Sequence, residues 1–396
     1  MKDGRGLKPA LVVMIALLLA ASVAAVAGCS SSGDAATSSS ATTPGSASTS
    51  AAISGSASTT AGTAAGSSHS TAPRTAGAGS DLFPVLSNAK GAYGYVDKTG
   101  KTVIEPQFVY AGSFKDGIAM VAVNGTVGAM YGYIGTDGKW IIEPNFYAGT
   151  SFSDGFALVQ TFDGKMQFID AQDNKLVEPS TAYSLPFSEG LTPIQEDGKF
   201  GYMDTKAKTV IPLQFTDAQS FSDGLAGAAA KVNGATKYGL IDTTGKWVVQ
   251  PQYDGIGRYS DGLAAVLVNG KWGFIDANGT MVIQPQYSLV EAFADGFSAV
   301  QIGDKYGYID TKGQVAIQPQ FYWAYGFSEG LGVIDQRVGG VEKYGYVDTT
   351  GKVVIEPTYA AAEAFSNGLA RVQVQSGDST KNALIDETGK VVWQDQ

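Results

Sequence analysis

Carboxylates are the residues of this chain whose spacing could do chemistry. Asp97, Asp170, Asp204, Asp242, Asp276, Asp310, Asp348 and Asp386 recur at equivalent points of a repeating sequence. A row of that kind could line one edge of a fold and act as general acids and bases, or gather oxygens around a hard cation. The same spacing has a plainer use. In Asp276-Ala277-Asn278-Gly279 the aspartate takes the first corner and the glycine the fourth corner of a type I turn, places that suit both residues. Turn geometry is the preferred reading. Each turn offers a single carboxylate and Asp-x-Asp-x-Asp spacing is missing, so no metal is expected.

Glu329 and Asp335, near Trp323, are the pair to weigh for carboxylate-only hydrolysis of cell-wall sugars, which needs two carboxyls ~5 to 9.5 Å apart. Other catalytic sets find no support. His69 is the only histidine and lies in a low-complexity stretch, which leaves histidine acid–base work, a Ser-His-Asp triad and histidine metal ligation without a residue. Cys29 is the only cysteine, so no intramolecular disulfide can form. A phosphate-cradling Gly-x-x-x-x-Gly-Lys-Ser/Thr and a dinucleotide fingerprint are missing as well, and no cofactor is expected. The balance points away from an enzyme.

Aromatic residues are the remaining candidates. Trp140, Trp247 and Trp393 stand at or near an end of an apolar segment, where packing between repeats explains them. Tyr322, Trp323 and Tyr325 break the repeat, because another unit has Ser288, Leu289 and Glu291 there. A local aromatic cluster could be a platform for a sugar face or a protein, or an enlarged patch of core.

Three segments must position these residues. Lys2, Arg5 and Lys8 precede an apolar run from Ala10 to Leu19 and then small residues up to Gly28, the layout of a secretory signal peptide over residues 1 to 28. The apolar run is shorter than the ~20 residues a spanning helix prefers. Residues 29 to 80 are Ser, Thr, Ala and Gly with almost no charge, a composition that forms no core and reads as a disordered tether reaching ~40 Å as a coil. Residues 81 to 396 form the repeating body. Removing the leader takes away a net charge of +2, so the chain goes from −10 to −12, and no Lys/Arg cluster follows the leader. Such a surface repels phosphates, so nucleic acid is not an expected partner.

The body repeats with starts at Tyr93, Tyr131, Met166, Phe200, Tyr238, Trp272, Tyr306, Tyr344 and Asn382, nine units spaced by 34 to 38 residues. In Tyr306-Gly307-Tyr308-Ile309-Asp310 the two aromatics share one face and the isoleucine takes the other, which is strand periodicity. The Asp turn leads into a second strand that ends at a proline, since proline cannot donate to a ladder. A further Asp-Gly turn, as at Asp295-Gly296, precedes a third strand. Each unit is therefore a three-stranded meander plus a connector with room for a short fourth strand. The glycine between the aromatics is expected to admit a neighbouring backbone. One unit is too small to bury its own aromatic face, so the units must stack. The predicted fold is all-β, tandem meanders in an open, curved, solenoid-like array, with a closed β-propeller as the alternative because propellers usually stop at eight blades. Leu82-Phe83-Pro84-Val85-Leu86 is a lone strand-like segment, either a cap or one half of a ring seam.

Two family resemblances follow from these residues. Val26-Ala27-Gly28-Cys29 resembles the lipobox of bacterial lipoproteins, which implies lipidation of Cys29 with more than one acyl chain and an extracytoplasmic, membrane-anchored protein. The aromatic-Gly-aromatic-Ile-Asp-x-x-Gly-Lys signature, followed by a strand ending in Pro-x-aromatic, resembles the WG-repeat family of bacterial proteins across residues 82 to 396. The namesake pair itself occurs as Trp272-Gly273, and most units use Tyr-Gly. The expected function is a non-enzymatic binding or scaffold protein of the cell envelope, presenting its β surface to an envelope protein or polysaccharide. A cell-wall glycan hydrolase and a passive spacer are the alternatives.

Overall fold

The computed structural model describes residues 81 to 396, apart from 127, 178 to 184, 378 and 396. The leader, Cys29, His69 and the tether lie outside the described residues. The chain divides at Thr75, and the unit that follows carries the repeats.

Every described element is a strand, and the strands form nine antiparallel sheets, six of four strands and three of three. In a complete blade such as the second, a two-residue inner strand β1 (Tyr110–Ala111) is followed by β2 (Ile118–Gly125), β3 (Gly128–Gly135) and an outer β4 (Trp140–Phe146), hydrogen-bonded in that order. The connector does hold a short fourth strand, as its length allowed. It joins its neighbour through a two-residue turn, Asp116-Gly117, with φ of 51° and 79°. Positive φ at both corners gives the twist that a tight hairpin needs.

Blades stack on one another, and burial follows from that. On β3 the adjacent residues Gly132, Tyr133 and Ile134 are all buried, because the middle of a blade is covered on both faces. The outer β4 alternates instead, with Ile142 and Phe146 buried and Ile141 and Glu143 exposed. Neighbouring blades share clusters: Tyr202 and Ile211 of the fourth pack with Phe221, Ala226 and Ile241 of the fifth. Two contacts recur at these joints. Tyr95, Tyr133, Tyr202, Tyr308 and Tyr346 each donate a hydroxyl hydrogen bond across the joint to the main-chain oxygen seventeen residues on, at 2.7 to 2.9 Å. The same rings meet Phe114, Phe152, Phe221, Phe327 and Phe365 at centroid distances of 4.8 to 4.9 Å.

The glycine between the aromatics has the role its position suggested, within its own blade. A Cβ on Gly94 would lie 2.5 Å from the oxygen of Ile104 and 2.7 Å from the nitrogen of Pro106. Tyr93 pairs with Phe108 and Tyr95 with Ile104, so the outer strand carries two extra residues around Pro106. The proline sits in a bulge, where its missing N–H costs no ladder bond.

Of the two closures, the ring is the one the chain adopts, and the open array is corrected. The segment Leu82–Ser87 is not a cap. It pairs with Ala92–Asp97, which pairs in turn with Thr102–Phe108, making the first blade. That blade packs against the ninth, with Phe83, Val85 and Val96 clustered on Leu369, Leu384, Val392 and Trp393. The carboxylate of Asp395 accepts from the Asn88 N–H at 3.1 Å. An open stack would leave this apolar set in water, and the seam buries it. The ninth unit, cut short in the sequence after Trp393, is whole in the structure because its inner pair of strands, Ala361–Ala362 and Leu369–Ser376, comes from the preceding repeat. Nine blades therefore close into a propeller-like ring.

Candidate functional site

The recurring aspartates serve their turns. All eight place one carboxylate oxygen on the backbone N–H groups two and four residues ahead, as Asp97 does to Thr99 at 2.8 Å and Lys101 at 3.1 Å. In four of the units a Thr hydroxyl adds a third bond, and the Thr99, Thr244, Thr350 and Thr388 hydroxyls hold Asp97, Asp242, Asp348 and Asp386 below the ordinary carboxylate range. The second unit has Gly135 where the aspartate belongs, and Asp137 takes over by accepting from the Lys139 N–H. Among the described residues no three His, Cys, Asp or Glu side chains gather as a metal would require.

A second carboxylate series went unread in the sequence because it acts between blades. Asp154, Glu189, Asp261, Asp295 and Glu329 sit at the first corner of the inner hairpin turn with φ of 49° to 57°. Each reaches the backbone N–H of the matching glycine in the next blade, Gly190, Gly224, Gly296, Gly330 and Gly368, at 2.7 to 3.1 Å. The signal available was an acid before glycine in the hairpin of nearly every unit. Its partner lies 35 to 39 residues away, which no local pattern reveals.

Glu329 belongs to this series and also accepts from the Asn367 N–H. Asp335 lies four residues into the strand that begins at Leu331, ~13 Å along it from the turn at ~3.3 Å per residue. The fold does not bring these two carboxyls together.

Tyr322, Trp323 and Tyr325 occupy the inner edge of the eighth blade, where the strand Trp323–Ser328 pairs with Leu331–Val338. The Trp323 ring stacks on Tyr306 of the seventh blade at 4.4 Å and 37°, and lies 6.3 Å from Tyr325, which lies 6.5 Å from Tyr344. All three are half-buried. Tyr322 lies under the Arg337 guanidinium, 4.0 Å from the ring centre, and accepts a hydrogen bond from it at 2.6 Å. Tyr110 holds the place of Trp323 in the second blade and Ala148, Asp217, Gly255 or Ala361 in others, while Gly112, Thr150, Gln219, Gly257 or Glu363 holds the place of Tyr325, so it is the two aromatics together that mark this joint.

Polar atoms inside this set lack partners. Asp335, 3% exposed and paired in register with Trp323, has one carboxylate oxygen with no hydrogen bond, and so does the Tyr306 hydroxyl. Burial and then the Glu342 charge push the Asp335 carboxyl up, and burial alone pushes Glu291 up. Burial, with Glu291 nearby, takes the Tyr306 hydroxyl to about 12. The half-buried aromatic faces of Tyr322, Trp323 and Tyr325 can meet a flat apolar surface such as a sugar face, whereas the unpartnered oxygens are buried inside the joint.

The repeat signature of the WG containing repeat family matches residues 93–126, 131–165, 200–234, 238–272, 272–306, 306–336 and 344–376. The chain belongs to that family. The seven WG matches begin at the aromatic of Tyr-Gly or its equivalent, partway through a blade: Tyr93, Phe200 and Tyr306 lie on the second described strand of theirs, and Tyr131, Tyr238, Trp272 and Tyr344 on the third. The third and ninth units, which begin at Met166 and Asn382, fall outside them and carry Gln167 and Ala383 in place of the signature glycine. No curated protein matches the WG chain. A eukaryotic initiation factor of known structure superposes with a TM-score of 0.59 at 13% identity, covering 79% of this chain and 95% of that one, a likeness of fold. BamB from Moraxella catarrhalis gives 0.41 at 13% identity over 76% and 97%, and prolyl oligopeptidase B from Galerina marginata 0.43 at 11% over 80% and 60%.

Proposed function

We propose that this WG-repeat chain is a non-enzymatic binding protein of the cell envelope, held to a membrane by lipid on Cys29 and offering its ring to an envelope protein or cell-wall polysaccharide. The observation that carries the reading is the division of labour among its acids. The repeated carboxylates are spent on turns and on joints between blades, whereas the departure from the repeat is aromatic and half-exposed at one joint. That is the composition of a recognition patch. The rim adds contact area: Val103, Ile141, Val210, Val248 and Val282 stand exposed at one equivalent position of the outer strands. The tether composition supports a stand-off from the membrane.

The test is capture from native envelope with the full chain. Capture should yield a protein or glycan that Trp323→Ala with Tyr325→Ala loses, and Cys29→Ser should move the protein from the membrane fraction to the soluble one. An intact chain that retains neither envelope protein nor glycan would overturn the binding reading, and a Cys29→Ser variant that stays with the membrane would overturn the anchor.

A further inference from the structure

A second departure from the repeat lies at the joint of the second and third blades, and its rings face water. Tyr110 is 37%, Tyr147 39% and Phe162 44% exposed, and these are the exposed aromatic side chains among the described residues. Packing between blades does not call for them. Other blades fill the same places with such residues as Ala148 and Asp217 for Tyr110, Thr216 and Asp254 for Tyr147, and Asn124 and Asn269 for Phe162. Large apolar groups held in water where smaller or polar ones serve the fold equally well mark a contact surface.

Register sets the rings side by side. Tyr110 pairs with Ala122 and Ala122 with Tyr131, so both tyrosines rise from one face of the second blade over a small residue, their rings 5.8 Å apart at 55°. That face is the one that meets the third blade, where Met120 and Tyr133 pack on Ala157 and Val159. Tyr147 stands just ahead of the third blade's inner strand Ala148–Gly149 and meets Phe162, in the hairpin after Phe156–Gln160, at 6.0 Å and 78°. Burial first and Tyr147 next push the Tyr131 hydroxyl up, so the two pairs adjoin across the joint. Neither pair is stacked face to face, which leaves ring faces open to a ligand. Trp323 and Tyr322 hold in the eighth blade the places of Tyr110 and Tyr147, so the two aromatic sets lie at the same end of the ring.

The strip is neutral where its counterpart is charged. Arg337 lies over Tyr322 in the eighth blade, and Phe162 takes the place of that arginine in the third. Asp163 and Lys165, next to Phe162, pair with each other at 3.8 Å, and the hairpin of the second blade adds the exposed, uncharged Asn124 and Thr126. A chain of net charge −10 repels an anionic polymer. A protein partner needs ~800 Å² on each side, and four partly covered rings of less than ~100 Å² apiece fall far short of it. A sugar with equatorial hydroxyls needs less, because its C–H groups form a flat apolar face and its rim takes a few neutral hydrogen bonds.

We propose that this strip binds a neutral glycan of β-linked, equatorially substituted sugars, laid along Tyr110, Tyr131, Tyr147 and Phe162 with hydroxyls on Asn124 and Thr126. The inference deepens the binding reading and rests on it. The eighth-blade set holds the same polymer at a second point, so a long envelope chain is retained only when both sets are present, whereas a short oligosaccharide reads the strip by itself.

The probe is cellohexaose, titrated into the full chain by calorimetry, with polygalacturonate as the anionic control. The wild type should bind cellohexaose and leave polygalacturonate unbound. Tyr147→Thr with Phe162→Asn introduces the residues that the fifth and second blades carry at those places, so the melting temperature should hold while cellohexaose binds at least about tenfold more weakly. Trp323→Ala with Tyr325→Ala should bind the hexasaccharide within about twofold of the wild type. The proposal is overturned by a wild type that ignores cellohexaose, by a strip variant that binds as the wild type does, by a greater loss at Trp323 and Tyr325 than at the strip, or by equal binding of polygalacturonate. Failure of the sugar alongside continued capture of an envelope partner removes the strip and leaves the binding reading standing. Failure of both removes both.

Discussion

At the scale of single residues, two populations of carboxylate respond to pH in opposite senses. Those of the turns are held below their ordinary range by hydrogen bonds, so the stability they contribute is present above the unfolded value of 3.8 and is lost as pH falls through their folded values. Asp335 is raised, so with respect to that group the fold is most stable below 3.8 and loses stability as pH rises through the folded value. Replacing Asp335 by Asn should therefore stabilise the protein by about 1 to 2 kcal/mol at neutral pH, because it removes a buried charge with an unpartnered oxygen. Thermal unfolding of both proteins across pH 3 to 7 measures this. The gain should shrink to nothing below 3.8, and a gain that is independent of pH would contradict the assignment.

At the scale of the element, the bulged outer strand explains the signature glycine and its exception. A Cβ on Gly273 would stand 2.4 Å from the Ile283 oxygen and 2.7 Å from the Pro285 nitrogen, backbone atoms that have nowhere to move. The ninth blade has Ala383 at this position, and there the outer strand Val391–Gln394 runs without a proline. Gly273→Ala should cost about 2 to 3 kcal/mol, whereas Ala383→Gly should cost well under half of that, both read from denaturation midpoints. An equal cost at the two sites would mean that the bulge is not what selects glycine. The strands, the Asp turn and this glycine were legible in the sequence because each is set within a dozen residues. The phase of the blades was not. Tyr131, Tyr238, Trp272 and Tyr344 look like the start of a unit, yet they lie on the third strand of a blade whose earlier strands belong to the preceding repeat. Nor was the interblade series of Asp154 and its equivalents, whose partners are a whole repeat distant. Of the candidate site, the aromatic triad announced itself by breaking the pattern, while its burial against Tyr306 and the stranded oxygen of Asp335 depend on a joint between blades that no single repeat encodes.

At the scale of the whole molecule, closure is what turns nine weakly self-sufficient meanders into one body. The seam is fastened by an apolar cluster and by the Asp395 carboxylate on the Asn88 N–H, with no strand shared between the first and last blades. That fastening exists only if the ends meet, because Phe83, Val85 and Val96 of the first blade lie on Leu369, Leu384 and Trp393 of the ninth. Sheets stacked face to face lie ~10 Å apart, so nine in an open row would hold the ends ~80 Å from each other. The direct test is the distance between spin labels at Lys90→Cys and Thr388→Cys, both exposed, in a chain also carrying Cys29→Ser. A single narrow population within about 30 Å is the result of a closed ring of adjacent blades. A population near the open-row distance, or a broad spread reaching it, would contradict the ring and with it the seam.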